Sequence, residues 1–240
     1  MKTLQSIVDK AKRIVFFGGA GVSTASGIPD FRSADGLYRQ KYGDLTAEMM
    51  LSQSFFYLHP DLFYDFYRAH MLHPEAKPNA AHRKLYDLER AGKLSGLITQ
   101  NIDGLHRAAG NRLVYELHGS VHENRCIECG RFYDLDWLLG TQGVPKCESC
   151  GGVVKPSVVL YGEGLDHYVT TGACREISRC DVLIVAGTSL EVEPAASMLA
   201  YFRGGARELV VINREETPAD SRATLVIRED IEAVFDALHV

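Results

Sequence analysis

The sequence contains no apolar run approaching the roughly eighteen residues that a membrane-spanning helix needs, so a helical span is not expected. Basic residues are not in excess. The 26 Lys and Arg are outnumbered by 31 Asp and Glu, for a formal net charge of −5, which argues against general binding to nucleic acid or to anionic membrane surfaces. The first residues lack the apolar core and small-residue cleavage site of a secretory leader. Residues 1–12 read instead as an amphipathic helix with Leu4, Ile7, Val8 and Ala11 on one face, and a cytoplasmic location is expected. Repeats and low-complexity tracts are missing, and tryptophan occurs once, at Trp137. Two nucleotide-binding signatures are missing as well: G-x-G-x-x-G, and a glycine loop followed by Gly-Lys-Ser/Thr. The first absence counts against an ordinary dehydrogenase and the second against a P-loop enzyme.

With 46% hydrophobic and 24% charged residues the composition is that of a globular protein, and 240 residues are enough for one core plus a small module. Short apolar runs at 14–17, 97–99, 114–117, 158–161, 182–186, 209–212 and 224–227 read as strands. Helical patterns fall at 61–71, 78–92, 167–178, 194–202 and 231–238, with Leu62, Phe63, Phe66 and Tyr67 facing inward in the first. This alternation predicts an α/β fold with a parallel, doubly wound sheet. The stretch 34–60 shows no clear period and reads as a long loop with some helix.

In such a sheet ligands gather where strands end in polar residues. After the first strand comes Gly18-Gly19-Ala20-Gly21-Val22-Ser23-Thr24, whose glycines allow a tight turn and close approach to a phosphate; a helix starting here would offer free N–H groups. Ile28-Pro29-Asp30-Phe31-Arg32 adds an aromatic ring and a guanidinium. Taken alone, the loop also fits plain packing. Thr99-Gln100-Asn101-Ile102-Asp103 ends a second strand with donors and acceptors, or is an Asx-turn capping a helix at Asp103. His118, after Glu116-Leu117, is a general-base candidate, although a lone histidine is more often structural; Gly119 is expected to relieve crowding beside the imidazole. Gly187-Thr188-Ser189 and Asn213 end two further strands and suit a ribose or phosphate.

The pairs Cys126-Ile127-Glu128-Cys129 and Cys147-Glu148-Ser149-Cys150 are separated by seventeen residues, a spacing that fits one four-thiolate zinc site. A closed tetrahedron leaves no position for water, which makes the ion structural. Two disulfides or a nucleic-acid-binding ribbon are the alternatives; the acidic Asp134 and Asp136 between the pairs disfavour the second. Cys174 and Cys180 lie apart.

Together these motifs resemble the sirtuin family of NAD-dependent protein lysine deacylases, of bacterial and archaeal type. The matching stretches are Gly19–Ser23, Ser26–Arg32, Thr99–His106, Glu116–Gly119, the four cysteines, Lys155–Val159, Tyr161–Glu163 and Gly187–Leu190. Gly18 departs from the family's threonine before the glycine loop and would loosen it. The resemblance implies a Rossmann-like NAD domain from 1–33, 79–120 and 157–240. It also implies a smaller domain made of a cofactor loop with helical insertion (34–78) and a four-cysteine zinc ribbon (121–156). It makes His118 the general base, Asn101 the residue that orders water and ribose, and Asp103, with Ile102, the reader of the nicotinamide amide. Gln100 would bind ribose hydroxyls and Phe31 would shield the reactive carbon. Gly19, Ala20, Gly21, Thr24, Arg32, Gly187, Thr188, Ser189, Asn213 and Ile231 would hold the rest of NAD. An acyl-lysine peptide would add as a strand near Val158, Tyr161, Gly162, Glu163 and Leu165, opposite 190–192. Nicotinamide, O-acetyl-ADP-ribose and free lysine would be the products.

Family members that remove succinyl or malonyl groups carry Tyr-x-x-Arg, where this chain has Tyr67 and His70. Without that guanidinium, uncharged acyl groups are the expected substrates. A monomer is expected, with no specific nucleic acid or membrane partner. A pure NAD-binding protein and an ADP-ribosyltransferase are the rival classes.

Overall fold

The computed structural model of the chain describes residues 2–31, 36–39 and 42–240. After α1 (Leu4–Lys10), capped reciprocally by Thr3 and Ser6, the chain enters β1 (Ile14–Gly18). Three helices follow, α2 (Ala47–Met50), α3 (Gln53–Leu58) and α4 (Pro60–His70), and then α5 (Ala80–Arg90) leads into β2 (Leu94–Thr99). The short α6 (Leu105–Ala108) and β3 (Val114–Glu116) precede β4 (Gly119–Cys126), β5 (Phe132–Asp134), α7 (Leu135–Leu139) and β6 (Val154–Val158). The chain ends with α8 (His167–Arg179), β7 (Val182–Ala186), β8 (Glu208–Ile212), β9 (Leu225–Ile227) and α9 (Ile231–Asp236).

Among the described residues the strands form two sheets: a parallel one in the order β3-β2-β1-β7-β8-β9 and a small antiparallel one in the order β5-β4-β6. β1 and β7 lie at the centre of the first and are buried at every position, as a parallel sheet covered on both faces requires. Side chains alternate between faces with period two. Ile14 and Phe16 join Leu85, Leu88 and Phe235 on one face, and Val15 and Phe17 join Ile177, Met198 and Phe202 on the other. The expected doubly wound α/β sheet is therefore present.

A third core holds Phe55, Phe56, Phe63, Tyr64, Phe66 and Tyr67 from the helices together with Val121, Leu135, Leu138 and Val158 from the small sheet and its helix α7. The helical insertion and the ribbon thus pack as one body. Phe63 and Tyr67, one turn apart on α4, stack at 5.5 Å. No helix of the described residues is long and apolar enough to cross a membrane.

Several expectations need correction. The strand expected at 158–161 is instead Val154–Val158, and it pairs antiparallel with β4 in the small sheet. Val158 enters the third core and Val154 a small cluster with Cys126, Tyr133 and Cys147, places that the hydrophobic pattern cannot distinguish from one in the parallel sheet. No α-helix follows the glycine loop: two 3-10 turns, Ala20–Val22 and Thr24–Ser26, stand there, and 194–202 reduces to the 3-10 stretch Ala196–Tyr201. Leu62 is 48% exposed, and Tyr64 takes the inward place. Gly18 loosens nothing. It is the last residue of β1, and a Cβ there would sit 2.6 Å from the Phe16 ring.

Candidate active site

The parallel sheet reverses its direction of growth between β1 and β7, and a crevice opens there beyond the strand ends. The loops after these strands touch backbone to backbone. Gly19 N–H donates to Ala186 O at 3.1 Å and Gly21 N–H to Gly187 O at 2.9 Å. A Cβ on Gly21 would lie 2.8 Å from Gly187 Cα, and one on Gly187, whose φ is +60°, 2.6 Å from Val22 N. Only glycine allows this contact. Asn79 secures the loop from behind: its side-chain oxygen caps α5, and its Nδ2 donates to Val22 O at 2.8 Å and Ser26 Oγ at 3.1 Å.

The crevice widens into a cavity of about 360 Å³. Gly19, Ala20, Gly21, Thr24 and Phe31 line one side, Gln100, Asn101, Ile102 and His118 the floor. Gly187, Thr188 and Ser189, next to the glycine loop, also line it, as do Asn213 and Ile231. Val158, Tyr161, Gly162, Glu163 and Leu165 form the remaining wall. Arg32 lies outside the described residues. Three of the sequence-derived residues are not in the lining. Asp103 is half-buried, with Oδ2 accepting from Ser23 Oγ at 2.6 Å and Oδ1 from Leu105 N at 2.8 Å. Tyr67 is fully buried in the third core, and His70 packs its ring on Phe66 and Tyr42 at 4.8 and 5.1 Å.

The floor is a connected set of hydrogen bonds. Asn101 Nδ2 donates to Ser23 Oγ at 3.0 Å, and Ser23 in turn donates to Asp103, so the carboxylate anchors both. Nothing in the sequence marks Ser23, 1% exposed, as the link between two motifs. Leu51, Met71 and Leu160 also line the cavity, and the sequence offered no sign of them, because they come from packing between distant segments. Gln100 Nε2 reaches Thr188 Oγ1 at 2.9 Å across the crevice.

His118 sits between β3 and β4, with Nδ1 2.9 Å from the Gln100 carbonyl oxygen. A carbonyl only accepts, so Nδ1 carries the proton and Nε2 keeps its lone pair. Burial lowers the imidazole pKa below 6.5, only partly opposed by the bond to Gln100, and the ring is neutral at pH 7. Gly119, φ +74°, serves the backbone and not the imidazole: a Cβ there would meet Ser157 O at 1.9 Å.

The four cysteines come together as one cluster, their sulfurs all within 4.8 Å of one another. Cys126 and Cys150 Sγ are 3.4 Å apart, and Cys129 and Cys147 Sγ 3.6 Å. These separations are far beyond a disulfide bond and close to the roughly 3.8 Å edge of a tetrahedron with Zn–S bonds of about 2.3 Å. The two knuckles match. Gly130 and Gly151, both with positive φ, donate to the carbonyls of Cys126 and Cys147 at 2.9 and 2.8 Å. The donor set and its spacing fit one structural zinc ion, and the closed thiolate shell leaves it no place in the chemistry.

Behind Asp103, two histidines are buried against each other. His82 and His106 have ring centroids 4.6 Å apart and are 0% and 2% exposed. Burial pushes the His82 pKa down to about 4 and that of His106 well below 6.5. An unfolded chain takes up both protons near pH 6.5, while the folded chain resists. Stability is thus complete above pH 6.5 and falls as the pH drops toward 4. His82 alone is expected to remove about 2 kcal/mol by pH 5. Urea midpoints measured from pH 7.5 to 5 check this, and His106→Phe should flatten the slope; an unchanged slope would contradict it.

A parallel sheet with a glycine-lined switch-point crevice and a neutral imidazole in it, joined to a small sheet that gathers four thiolates, defines an α/β protein of the dinucleotide-binding class. The Sir2 family model matches residues 19–194. A protein of Clostridium perfringens named NAD-dependent protein deacetylase is 53% identical over 233 residues, covering 97% of this chain and 95% of that one. One of Cutibacterium acnes with the same name is 54% identical over 232 residues, covering 96% and 94%. A solved Sir2 structure with a p53 peptide and NAD+ superposes with TM-score 0.86 at 37% identity, covering 98% of this chain and 96% of that one. A Sir2 structure bound to acetylated peptide gives 0.84 at 35%, covering 95% and 92%. The chain belongs to the Sir2 family.

Proposed function

We propose that the chain is an NAD-dependent protein lysine deacetylase that yields nicotinamide, O-acetyl-ADP-ribose and free lysine. The observation that carries this reading is His118, its Nδ1–H held by a backbone carbonyl and its neutral imidazole on the floor of a cavity whose other walls suit a dinucleotide and a peptide. Bound NAD supplies a ribose carbon that becomes electrophilic as nicotinamide leaves. Gly19, Ala20 and Gly21 let backbone amides approach the pyrophosphate, and Thr24, Gly187, Thr188 and Ser189 add small polar contacts. Gln100 serves the ribose hydroxyls, while Asn213 and Ile231 hold the far end. His118 accepts a ribose hydroxyl proton at Nε2, and the Gln100 carbonyl steadies the imidazolium that forms. Asn101 orders water and ribose; Asp103, which also positions Asn101 through Ser23, reads the nicotinamide amide with Ile102, and Phe31 covers the reacting carbon.

The peptide adds as a strand along Gly162–Leu165, facing Val192 across the cavity. The same reading divides the chain into the NAD-binding part (1–33, 79–120, 157–240), the helical insertion (34–78) and the ribbon (121–156). It takes the enzyme to act as a cytoplasmic monomer. Mass spectrometry after mixing protein, NAD and acetyl-lysine peptide tests it: O-acetyl-ADP-ribose is expected, and nicotinamide release without deacylated peptide would point to another class of reaction.

The acyl group follows from the helix beside the cavity. Arg68 is engaged elsewhere, donating to Leu138 O at 2.9 Å, Thr141 Oγ1 at 2.9 Å and Gly143 O at 3.2 Å. Leu51, Met71 and Leu160, which line the cavity, are apolar. Burying an unpaired carboxylate costs several kcal/mol. Succinyl-lysine peptide is therefore expected to have kcat/KM on the order of a hundredfold below acetyl-lysine peptide, and equal turnover of the two would overturn this selectivity.

A further inference from the structure

The wall of the cavity from Val159 to Leu165 has no regular secondary structure, so its shape depends on what ties it down. Two ties are to main chain: Val159 N–H donates to His118 O at 2.9 Å, and Tyr161 pairs with Leu51 and Gln53 at 3.0 and 2.9 Å. Tyr161 also meets Tyr38 through their hydroxyls, and a further tie is a side chain that the catalytic reading does not use. Lys155, near the start of β6, sends its ammonium under the wall. Its Nζ lies 3.2 Å from Pro156 O, 3.0 Å from Val158 O and 3.1 Å from Glu163 Oε2. An ammonium has three donors, and all three are used.

The same Glu163 oxygen accepts from Leu160 N at 2.9 Å, and Glu163 N–H donates back to Leu160 O at 2.9 Å, closing a turn around the charge. Both side chains are largely withdrawn from water, at 15% and 18% exposure. Placing a charged pair there gives little stability over an apolar pair, so its physical use is to select one arrangement of the chain.

We infer that Lys155 is a positioning residue for peptide binding: by holding Glu163 and the carbonyls of Pro156 and Val158, it fixes the wall 160–165 on which the peptide strand forms. This deepens the proposed function and rests on its placement of the peptide. Lys155 itself does not line the cavity, and its role is distinct from that of the groups facing the dinucleotide.

Lys155→Met keeps the length and apolar stem while deleting the charge. It is expected to raise the KM for acetyl-lysine peptide by roughly ten- to a hundredfold. The Kd for NAD and kcat at saturating peptide should stay within about threefold, because the glycine loop is anchored on 186–187 and the His118 imidazole is held by the Gln100 carbonyl. Glu163→Gln, whose amide oxygen still accepts from Leu160 N, should move KM the same way by less, and the double variant should be no worse than Lys155→Met. Hydrogen exchange in the substrate-free protein is an independent readout. The Leu160 and Glu163 amides should exchange faster in Lys155→Met while β1 and β7 keep their protection. Unchanged exchange at these amides in the folded variant, equal losses of NAD and peptide affinity, or additive effects of the two substitutions would overturn the inference. If the unaltered protein turns over no acyl-lysine peptide, the parent reading fails, while the exchange measurement still decides whether Lys155 anchors the wall.

Discussion

His118→Ala is expected to lower peptide-dependent nicotinamide release and O-acetyl-ADP-ribose formation by about 10²–10⁴-fold, the usual contribution of a positioned base. The fold should survive, because the imidazole is held by a single bond to the Gln100 carbonyl and belongs to none of the hydrophobic cores. The pH profile gives a sharper test than the rate. Burial holds the imidazole pKa below 6.5, so it stays neutral and competent at pH 7. The acid limb of kcat/KM should lie below pH 6.5 in the unaltered protein and vanish from the residual activity of the variant. A variant that retains full turnover, or the same acid limb, would remove His118 from the chemistry.

Removing the ribbon's metal is the second large effect. Four thiolates gathered within 4.8 Å repel one another without a cation, and structural zinc in small modules contributes on the order of 10 kcal/mol at neutral pH. Chelation, or Cys147→Ser, is therefore expected to unfold β4, β5 and β6 locally and to weaken peptide turnover. The reporter is built in. Trp137, the sole tryptophan, packs on Tyr133 with ring centroids 3.9 Å apart and donates to Glu148, beside Cys147, at 2.8 Å. Its emission should shift on chelation, while amide protection in β1 and β7, which belong to separate cores, persists. Unchanged emission and turnover in verified metal-free protein would contradict this.

How far the sequence carried the fold can be judged from particular segments. Ile14–Gly18 and Val182–Ala186 were legible because strands buried on both faces must be apolar throughout. The cysteines were legible because metal geometry constrains spacing tightly. Val154–Val158 was misplaced because β-periodicity specifies burial and not a partner; only the contacts with β4 assign it to the small sheet. At the site, the glycine loop and His118 stood out by residue type. Asp103 stood out as a polar group, but its hydrogen bond to Ser23 did not, since a motif gives types and order but not partners. Lys155 was read only as part of a motif. Its purpose depends on where Glu163 returns, eight positions later, and no local pattern encodes that return.

The small sheet has a mechanical consequence. β4 starts beside His118 and ends on Cys126, while β6 starts after the second knuckle and ends at the peptide wall. The two strands run like a pair of cords from the clip to the cleft, a span of about 13 Å set by β6, whose two ends pair with Gly119 and Cys126 at the ends of β4. The cords are not equally taut. Between the pairs Gly119↔Val158 and Asn124↔Pro156, five residue steps on β4 face two on β6. The excess length around Ser120–Glu123 is tied to the cleft floor, Val121 N–H donating to Ile102 O at 3.0 Å, so a tug on the ribbon is taken up there before it reaches the imidazole. The shorter cord carries Lys155 and passes the tug straight to the peptide wall. Disturbances of the ribbon should thus be felt as altered grip on the peptide, and only later as altered chemistry.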